Sequence, residues 1–415
     1  MNREYDVAII GGGIAGSALA IALADEGARV LVAERAEEFK DRVRGEWLSP
    51  WGAAEARMLG LSSIFDEAGA HPLPYNVSRS GKPRALRTAQ GDVPLAFHHV
   101  ELQEALLQAA RDRGVTVERP VVVDEIHGGS RPGFRISRDG LSCEIDARLV
   151  VGAEGRGSQV RKLLRRPDYE HRSERLLAGI RLRGLGGSED TGHFLIREDA
   201  DGLAMVYPQG GGYGRAYVVI PGSTTADFRG ADGFRRFVEF AIESGIPREV
   251  IGDAEADGPL AAFTSSDRWL KTPYRDGLAV VGDAAGVSDP TWGMGISLAL
   301  RDARTLATAL RESEDPQFAA ARYARQRDRY FGVIRTIENW QSELLFTTGG
   351  AAADRRRHAA RGWSEDGSRV PDLNGAGPEL DISEEARARF FGEDRIGAAV
   401  PVARPSGVEL LGASA

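Results

Sequence analysis

The stretch Gly11-Gly12-Gly13-Ile14-Ala15-Gly16 constrains this chain more than any other. An apolar run over residues 6–10 leads straight into it. Ala18, Leu19, Ala22 and Leu23 follow at helical spacing, and Gly27 closes that helix. A second apolar run over residues 29–33 ends on Glu34, so strand, glycine turn, helix and strand follow one another as in a βαβ unit. Gly11, Gly13 and Gly16 stand at the spacing a dinucleotide pyrophosphate requires. The first glycine turns the chain tightly, the second lets backbone approach phosphate, and the third packs helix on strand. The N–H groups at the start of the helix, at Ile14 and Ala15, then face the anion. Glu34 ends the second strand, where a carboxylate accepts hydrogen bonds from a ribose diol, with Arg35 beside it.

The same alternation of strand and helix runs on. A helix is expected over residues 99–113, with Leu102, Leu106 and Leu107 on one face, and strands over 115–117, 121–123 and 147–153. From about Glu174 to Asp276 the texture changes to short alternating strands broken by glycine, the pattern of an antiparallel sheet. Apolar strand texture returns at 277–282, followed by a long helix from near Gly295 and another over 317–346. The expected fold is therefore α/β. A Rossmann-type domain with a parallel sheet is built from residues 1–173 and 277–346, with an antiparallel substrate-binding sheet inserted at 174–276, C-terminal helices, and an extension over 347–415.

At 415 residues the chain is too long for one core. Its net charge of −8 lacks the basic footprint of a nucleic-acid binder, so nucleic acid is excluded as a partner. No apolar run reaches the roughly 18 residues that a membrane span needs, the N-terminus carries no signal-like basic segment, and the single cysteine, Cys143, has no partner for a disulfide. A cytoplasmic location without membrane contact is the expectation.

Two further stretches complete a set. One is Leu149-Val150-Val151-Gly152-Ala153-Glu154-Gly155-Arg156-Gly157, and the other is Gly277-Leu278-Ala279-Val280-Val281-Gly282-Asp283-Ala284-Ala285. With the first glycine turn, and in this order, they resemble the three motifs of FAD-dependent monooxygenases of the para-hydroxybenzoate hydroxylase type, a group that includes antibiotic-tailoring hydroxylases. The resemblance covers roughly residues 4–330. It implies FAD as cofactor, with Asp283 on the ribityl chain. It places Pro290, Gly293, Gly295 and Ile296, within Asp289-Pro290-Thr291-Trp292-Gly293-Met294-Gly295-Ile296, against the flavin pyrimidine. Arg44 would lie along the isoalloxazine, His99 would donate to the flavin or ribityl chain, and the backbone of Val123 would meet the adenine. The sequence departs from the family at three places: Glu154 stands for the usual aspartate, Gly286 for a frequent histidine, and Ser297 for a frequent asparagine.

In that family, reduced FAD and O2 form a C4a-hydroperoxide that delivers one oxygen atom to an electron-rich carbon. The resemblance thus implies an aromatic or polyketide-like small-molecule substrate, O2, and NADPH or NADH as reductant, used directly or through a separate flavin reductase. That chemistry requires no metal, and a monomer or homodimer is the default expectation for such a chain. Tyr207, Arg215, Tyr217 and Trp292 are the substrate-contact candidates, and Arg44, Pro290 and Trp292 are the candidates for groups near the chemistry. Glu46, Trp47 and Trp51 are candidates for the substrate entrance or for packing. A flavin-dependent halogenase is a rival on Arg44-Gly45-Glu46, but the Trp-x-Trp-x-Ile-Pro signature of that group occurs nowhere in the chain. An FAD-dependent reductase or dehydrogenase is a second rival, and a carrier protein that uses a flavin fold without redox work is a third. Intact Glu34, Asp283 and glycine loops argue against the carrier.

Overall fold

Arg3–Ile10 lies at the centre of a parallel sheet, flanked by Val30–Ala33 on one side and the second half of Leu141–Gly152 on the other. Thr116–Glu118 extends the sheet beyond Val30–Ala33, and Leu278–Val280 extends it beyond Leu141–Gly152, all parallel. In register, Ile10 stands opposite both Ala33 and Gly152, and Gly152 opposite Val280. The carboxyl ends of four strands therefore finish at one edge, the edge where open α/β sheets bind ligands. Both faces are covered, so these strands read as unbroken apolar runs such as Val30–Ala33, wholly buried. The computed structural model describes residues 3–78, 81–197, 202–221, 228–395 and 408–411.

The helix Ile14–Ala24 packs on one face of this sheet against His99–Asp112 and Gly295–Arg311. Gly295–Arg311 in turn packs on Pro316–Phe346. The Tyr323 hydroxyl, on that long helix, donates to the Val280 carbonyl at 2.9 Å, fixing the helix to the end of a sheet strand.

The second sheet is eight-stranded and largely antiparallel. Arg175–Arg183, Tyr213–Pro221, Leu203–Gly210 and Thr191–Ile196 form its centre. Two strands from outside the expected 174–276 segment complete it: Tyr75–Val77 pairs in parallel with Thr191–Ile196, and Pro83–Ala85 pairs with Tyr75–Val77. One face packs under the helix Gly233–Glu243 through Phe237, Ala241, Val206 and Val218. The other face turns toward the parallel-sheet half of the molecule.

The extension carries two helices, Gly350–Glu365 and Glu384–Phe391. Phe390 stacks with both Trp340 and Trp363, at ring-centroid distances of 6.3 and 5.2 Å, and this ties the extension to the long helix. Among the described residues no helix is long and apolar enough to cross a membrane.

Candidate active site

Three glycine-bearing loops converge at the carboxyl edge of the parallel sheet. Gly11 has φ +106°, and a Cβ there would stand 2.5 Å from the Ala153 carbonyl oxygen. A Cβ on Gly16 would stand 2.0 Å from the Gly11 carbonyl oxygen, and one on Gly282 2.9 Å from the Ala15 Cβ. The first loop is thus pressed against both of the others, and only glycine fits at these contacts. Gly13 is different. Its φ of −72° suits any residue, and a Cβ there would meet only Gln103 Nε2 at 3.5 Å. The space over Gly13 is open, at the N-terminus of a helix that no side chain caps, so the first-turn N–H groups remain available to an anion.

Glu34 is buried. Its Oε2 accepts the Gly12 N–H at 2.8 Å and its Oε1 the Ala36 N–H at 2.7 Å, which holds the carboxylate beside the glycine turn. Arg35 next to it is exposed. Glu154, one methylene longer than the family aspartate, folds back on its own loop. It accepts from the Ser158 hydroxyl at 2.6 Å and from the Gln159 and Val160 N–H groups at 2.9 and 3.2 Å, capping the short helix Gln159–Leu163.

Asp283 has no hydrogen-bond donor among the described residues. Burial pushes its carboxyl up, opposed by the charges of Arg44 and Arg156. The loop that carries it rests on Asp302, which is fully buried and accepts the Gly282 N–H at 2.8 Å and the Tyr330 hydroxyl. Burial raises the Asp302 carboxyl as well, and Arg327, whose Nε lies 3.8 Å away, opposes that rise. Sequence reasoning passed over Asp302. The available signal was its place between Leu298 and Leu306, one helical turn from each, which puts a carboxylate on an apolar stripe.

Opposite these loops, strand alternation puts Leu177, Gly179, Arg181, Leu203, Met205, Tyr207, Arg215, Tyr217 and Val219 on the inner face of the second sheet. The segment 43–47 lies across one end of it. A Cβ on Gly179 would come within 2.7 Å of Val43, so glycine there makes room for the crossing segment. The Tyr217 hydroxyl donates to the Arg44 carbonyl at 2.5 Å and accepts the Glu46 N–H at 3.1 Å. Glu46 and Arg215 are both fully buried and form a bidentate pair at 2.7 and 2.8 Å. Glu46 also accepts from the Gln209 side chain and the His99 N–H, and Arg215 donates to Asp41 at 2.8 Å. Burial opposes ionisation of Glu46, but Arg215 and these donors hold its carboxyl below the usual glutamate range.

His99 Nδ1 donates to the Gly45 carbonyl at 2.9 Å, and burial pushes its imidazole down, so the ring is neutral. Burial pushes the Tyr207 and Tyr217 phenols up, which leaves both protonated. Tyr207 stacks on Trp47 at 5.5 Å and its hydroxyl has no partner among the described residues. The Arg44 side chain is exposed at the mouth of this region.

The stretch Asp289–Ile296 meets the same crossing segment. A Cβ on Gly293, at φ +73°, would stand 3.1 Å from the Trp47 ring, and one on Gly45 3.7 Å from Ile296. Pro290–Trp292 forms a single turn and Gly295–Arg311 then begins with no side-chain cap, a second helix end with free N–H groups. Trp292 is buried between Phe194 of the inner face and Phe346, and its Nε1 donates to Ser342 at 3.1 Å. Ser297 is buried and shares a 2.8 Å hydrogen bond with Ser49. Val123 pairs with Ile136 on the strand Val122–His127, outside the glycine loops. Of the expected residues, then, the glycine loops, Glu34, Arg44, His99, Asp283, the 290–296 stretch, Tyr207, Tyr217 and Trp292 line one region, while Arg215 turns its Nε and Nη2 to Glu46 and Asp41 and leaves Nη1 without a partner among the described residues.

Residues 4–326 match the FAD binding domain family. The chain belongs to that family, in the group of FAD-dependent monooxygenases of the para-hydroxybenzoate hydroxylase type. It is 27% identical over 402 residues to 6-methylpretetramide 4-monooxygenase of Streptomyces rimosus, covering 86% of this chain and 88% of that one. Among solved structures, p-nitrophenol 4-monooxygenase PnpA of Pseudomonas putida DLL-E4 superposes with a TM-score of 0.71 at 17% identity, over 95% of this chain and 98% of that one. CmlS, a flavin-dependent halogenase, superposes with a TM-score of 0.73 at 22% identity, over 94% and 78%. At these identities the two structures speak for the fold alone.

Proposed function

We propose that this FAD-dependent monooxygenase transfers one oxygen atom of O2 to an electron-rich, aromatic or polyketide-like small molecule, with NADPH or NADH as electron source. The observation that carries this reading is the meeting of three elements at one place: the converging glycine loops, the uncapped start of the helix at Gly295, and an aromatic sheet face opposite them.

The residues present fit FAD. The open ground over Gly13 and the free N–H groups of the following turn suit a pyrophosphate, Glu34 a ribose diol, and Asp283 the ribityl hydroxyls, for which its carboxylate has no competing donor. When bound, FAD supplies the redox chemistry and the activation of O2. The chain's own part is to bind, orient and shield. The N–H groups at Gly295 and the Arg44 guanidinium would supply positive potential to a flavin held there, the kind of preorganised field that stabilises developing negative charge. Trp47, Tyr207 and Trp292 exclude water from the face where substrate lies. Tyr207, kept protonated by burial, is placed to donate a hydrogen bond to a substrate oxygen.

The test is a substrate screen of FAD-loaded protein under 18O2. Acceptance of one labelled oxygen atom into product, with NAD(P)H oxidised one for one, is the expected result. Product oxygen drawn from water, or oxidation of substrate without oxygen incorporation, overturns the reading in favour of a dehydrogenase.

A further inference from the structure

The charge balance of the inner sheet face says what that face accepts. Three arginines lie on it, and each already has a carboxylate: Arg175 pairs with Asp289, Arg181 with Asp257 at 2.9 Å, and Arg215 with Glu46 and Asp41. The pairing of Arg215 is the tightest, with neither it nor Glu46 exposed at all. Between these charged ends the face is apolar, made of Leu177, Leu203, Met205, Val219 and Phe194. A carboxylate brought onto this face would lose its hydration and find each of these cations already matched, with Arg44, unpaired among the described residues, exposed at the mouth rather than on the face, a cost that a neutral molecule does not bear. Arg175 Nε, Arg181 Nε and Arg215 Nη1 are buried without a hydrogen-bond partner among the described residues, but each belongs to a cation whose charge is already matched; the uncharged polar group of this face without a partner is the Tyr207 hydroxyl.

We propose that this face selects an uncharged, largely apolar substrate bearing a neutral hydroxyl or carbonyl, and that Glu46, by cancelling the charge of Arg215, sets the preference. The inference rests on the monooxygenase reading only in taking this face as the one that covers the substrate. Glu46 acts through Arg215 and the segment that crosses the sheet, so it is a positioning and specificity residue.

The test is calorimetric, on FAD-loaded protein in its oxidised state at pH 7, with 2-naphthol and 6-hydroxy-2-naphthoate as matched probes. The naphthol is expected to bind about tenfold or more tightly than the carboxylate, the size of penalty that an uncompensated buried charge imposes. Glu46→Gln leaves Arg215 with Asp41 alone and should narrow that ratio several-fold toward the carboxylate. Adding Arg215→Met to it should restore the preference for the neutral probe, which a merely structural role for Glu46 would not do. Equal or tighter binding of the carboxylate by the unmodified protein overturns the inference, as does binding of neither probe, and both results stand even if Glu46→Gln fails to fold. An unmoved ratio in folded Glu46→Gln overturns the role of Glu46. Since no turnover is read, a failure of oxygen incorporation would count against the monooxygenase reading and leave this preference as measured.

Discussion

Arg327 sits against Gly286: a Cβ at position 286 would stand 2.7 Å from Arg327 Nη2 and 3.2 Å from its Nη1. The guanidinium is almost wholly buried, stacks on Phe331 with 3.9 Å between its carbon and the ring centroid, and has Asp302 as its nearest carboxylate. Where the family resemblance leads one to expect a histidine, this chain has removed a side chain and filled the space with a cation from the long helix.

The exchange makes a prediction about packing. Gly286→His should destabilise the protein by about 1–3 kcal/mol, the usual cost of overfilling a packed interior, because the ring must displace a buried guanidinium stacked on Phe331 and a Cβ there also stands 3.1 Å from the Arg268 carbonyl oxygen. Combining it with Arg327→Ala should recover most of that loss. Urea unfolding of both single variants and the double variant gives the coupling directly, and simple additivity would show that the two positions do not compete for the same space.

Gly13 and Gly16 separate cofactor binding from folding. Gly16→Val drives a side chain into the Gly11 carbonyl and should cost stability whether or not FAD is present. Gly13→Val projects into open space, so the FAD-free protein should melt within about 0.5 kcal/mol of the parent, as a surface substitution does, while losing most bound FAD. Flavin content by absorbance, set beside calorimetric melting of the FAD-free forms, distinguishes the two. Retention of stoichiometric FAD by Gly13→Val would remove the pyrophosphate from this loop.

Asp283 should show function opposed to stability. Its carboxyl is half-buried, raised by desolvation and met by no donor among the described residues, so Asp283→Asn removes a charge that the FAD-free fold stabilises little, and the FAD-free protein should be about as stable as the parent at pH 7. FAD affinity should fall about tenfold or more, the loss of a charge-assisted hydrogen bond worth roughly 1.5–3 kcal/mol. Unchanged affinity would mean that the ribityl chain is held elsewhere.

These positions show what a sequence displays and what it hides. The glycine turn, Glu34, Asp283 and the 290–296 stretch are local, each a short segment whose residue types have a reason at that spacing, and the parallel sheet follows from the apolar runs before them. Glu46 and Arg215 were readable as residues but not as a pair, because they are 169 positions apart and meet only when a loop of one sheet crosses the other. From sequence Arg215 looks like a substrate contact; in the fold its Nε and Nη2 are taken up by two carboxylates, which sequence spacing does not announce. The strands Tyr75–Val77 and Pro83–Ala85 carry too little alternation to announce that they finish a sheet formed mostly by residues 175–221.

Glu338 provides a pH signature that the long helix carries into the fold. Both of its carboxyl oxygens are buried, and the donors that face them, the Ser288 hydroxyl and the Asp289 N–H, lie outside good hydrogen-bond geometry and lower its carboxyl only weakly. It faces Ser288, Asp289 and Asp267, and these aspartates are matched by Arg175 and by Arg335 and His171. Burial, reinforced by Asp289 and Asp267, pushes its carboxyl well above the ordinary value of 4.5. The folded state therefore holds this proton more tightly than the unfolded state. The stabilisation is complete below the unfolded pKa and is lost as pH rises toward and through the folded one. Glu338→Gln keeps the shape and removes the titration, so the variant should gain on the parent as pH rises from about 4.5 to 8, reaching about 1–3 kcal/mol, the cost of an unsatisfied buried polar group. The carboxyls of Asp283, Asp302 and Asp328 are raised too, but they are common to both proteins and cancel in the difference. Denaturant midpoints measured in parallel across that range check it, and a variant-minus-parent difference that is flat with pH would place Glu338 in contact with water or a donor in solution.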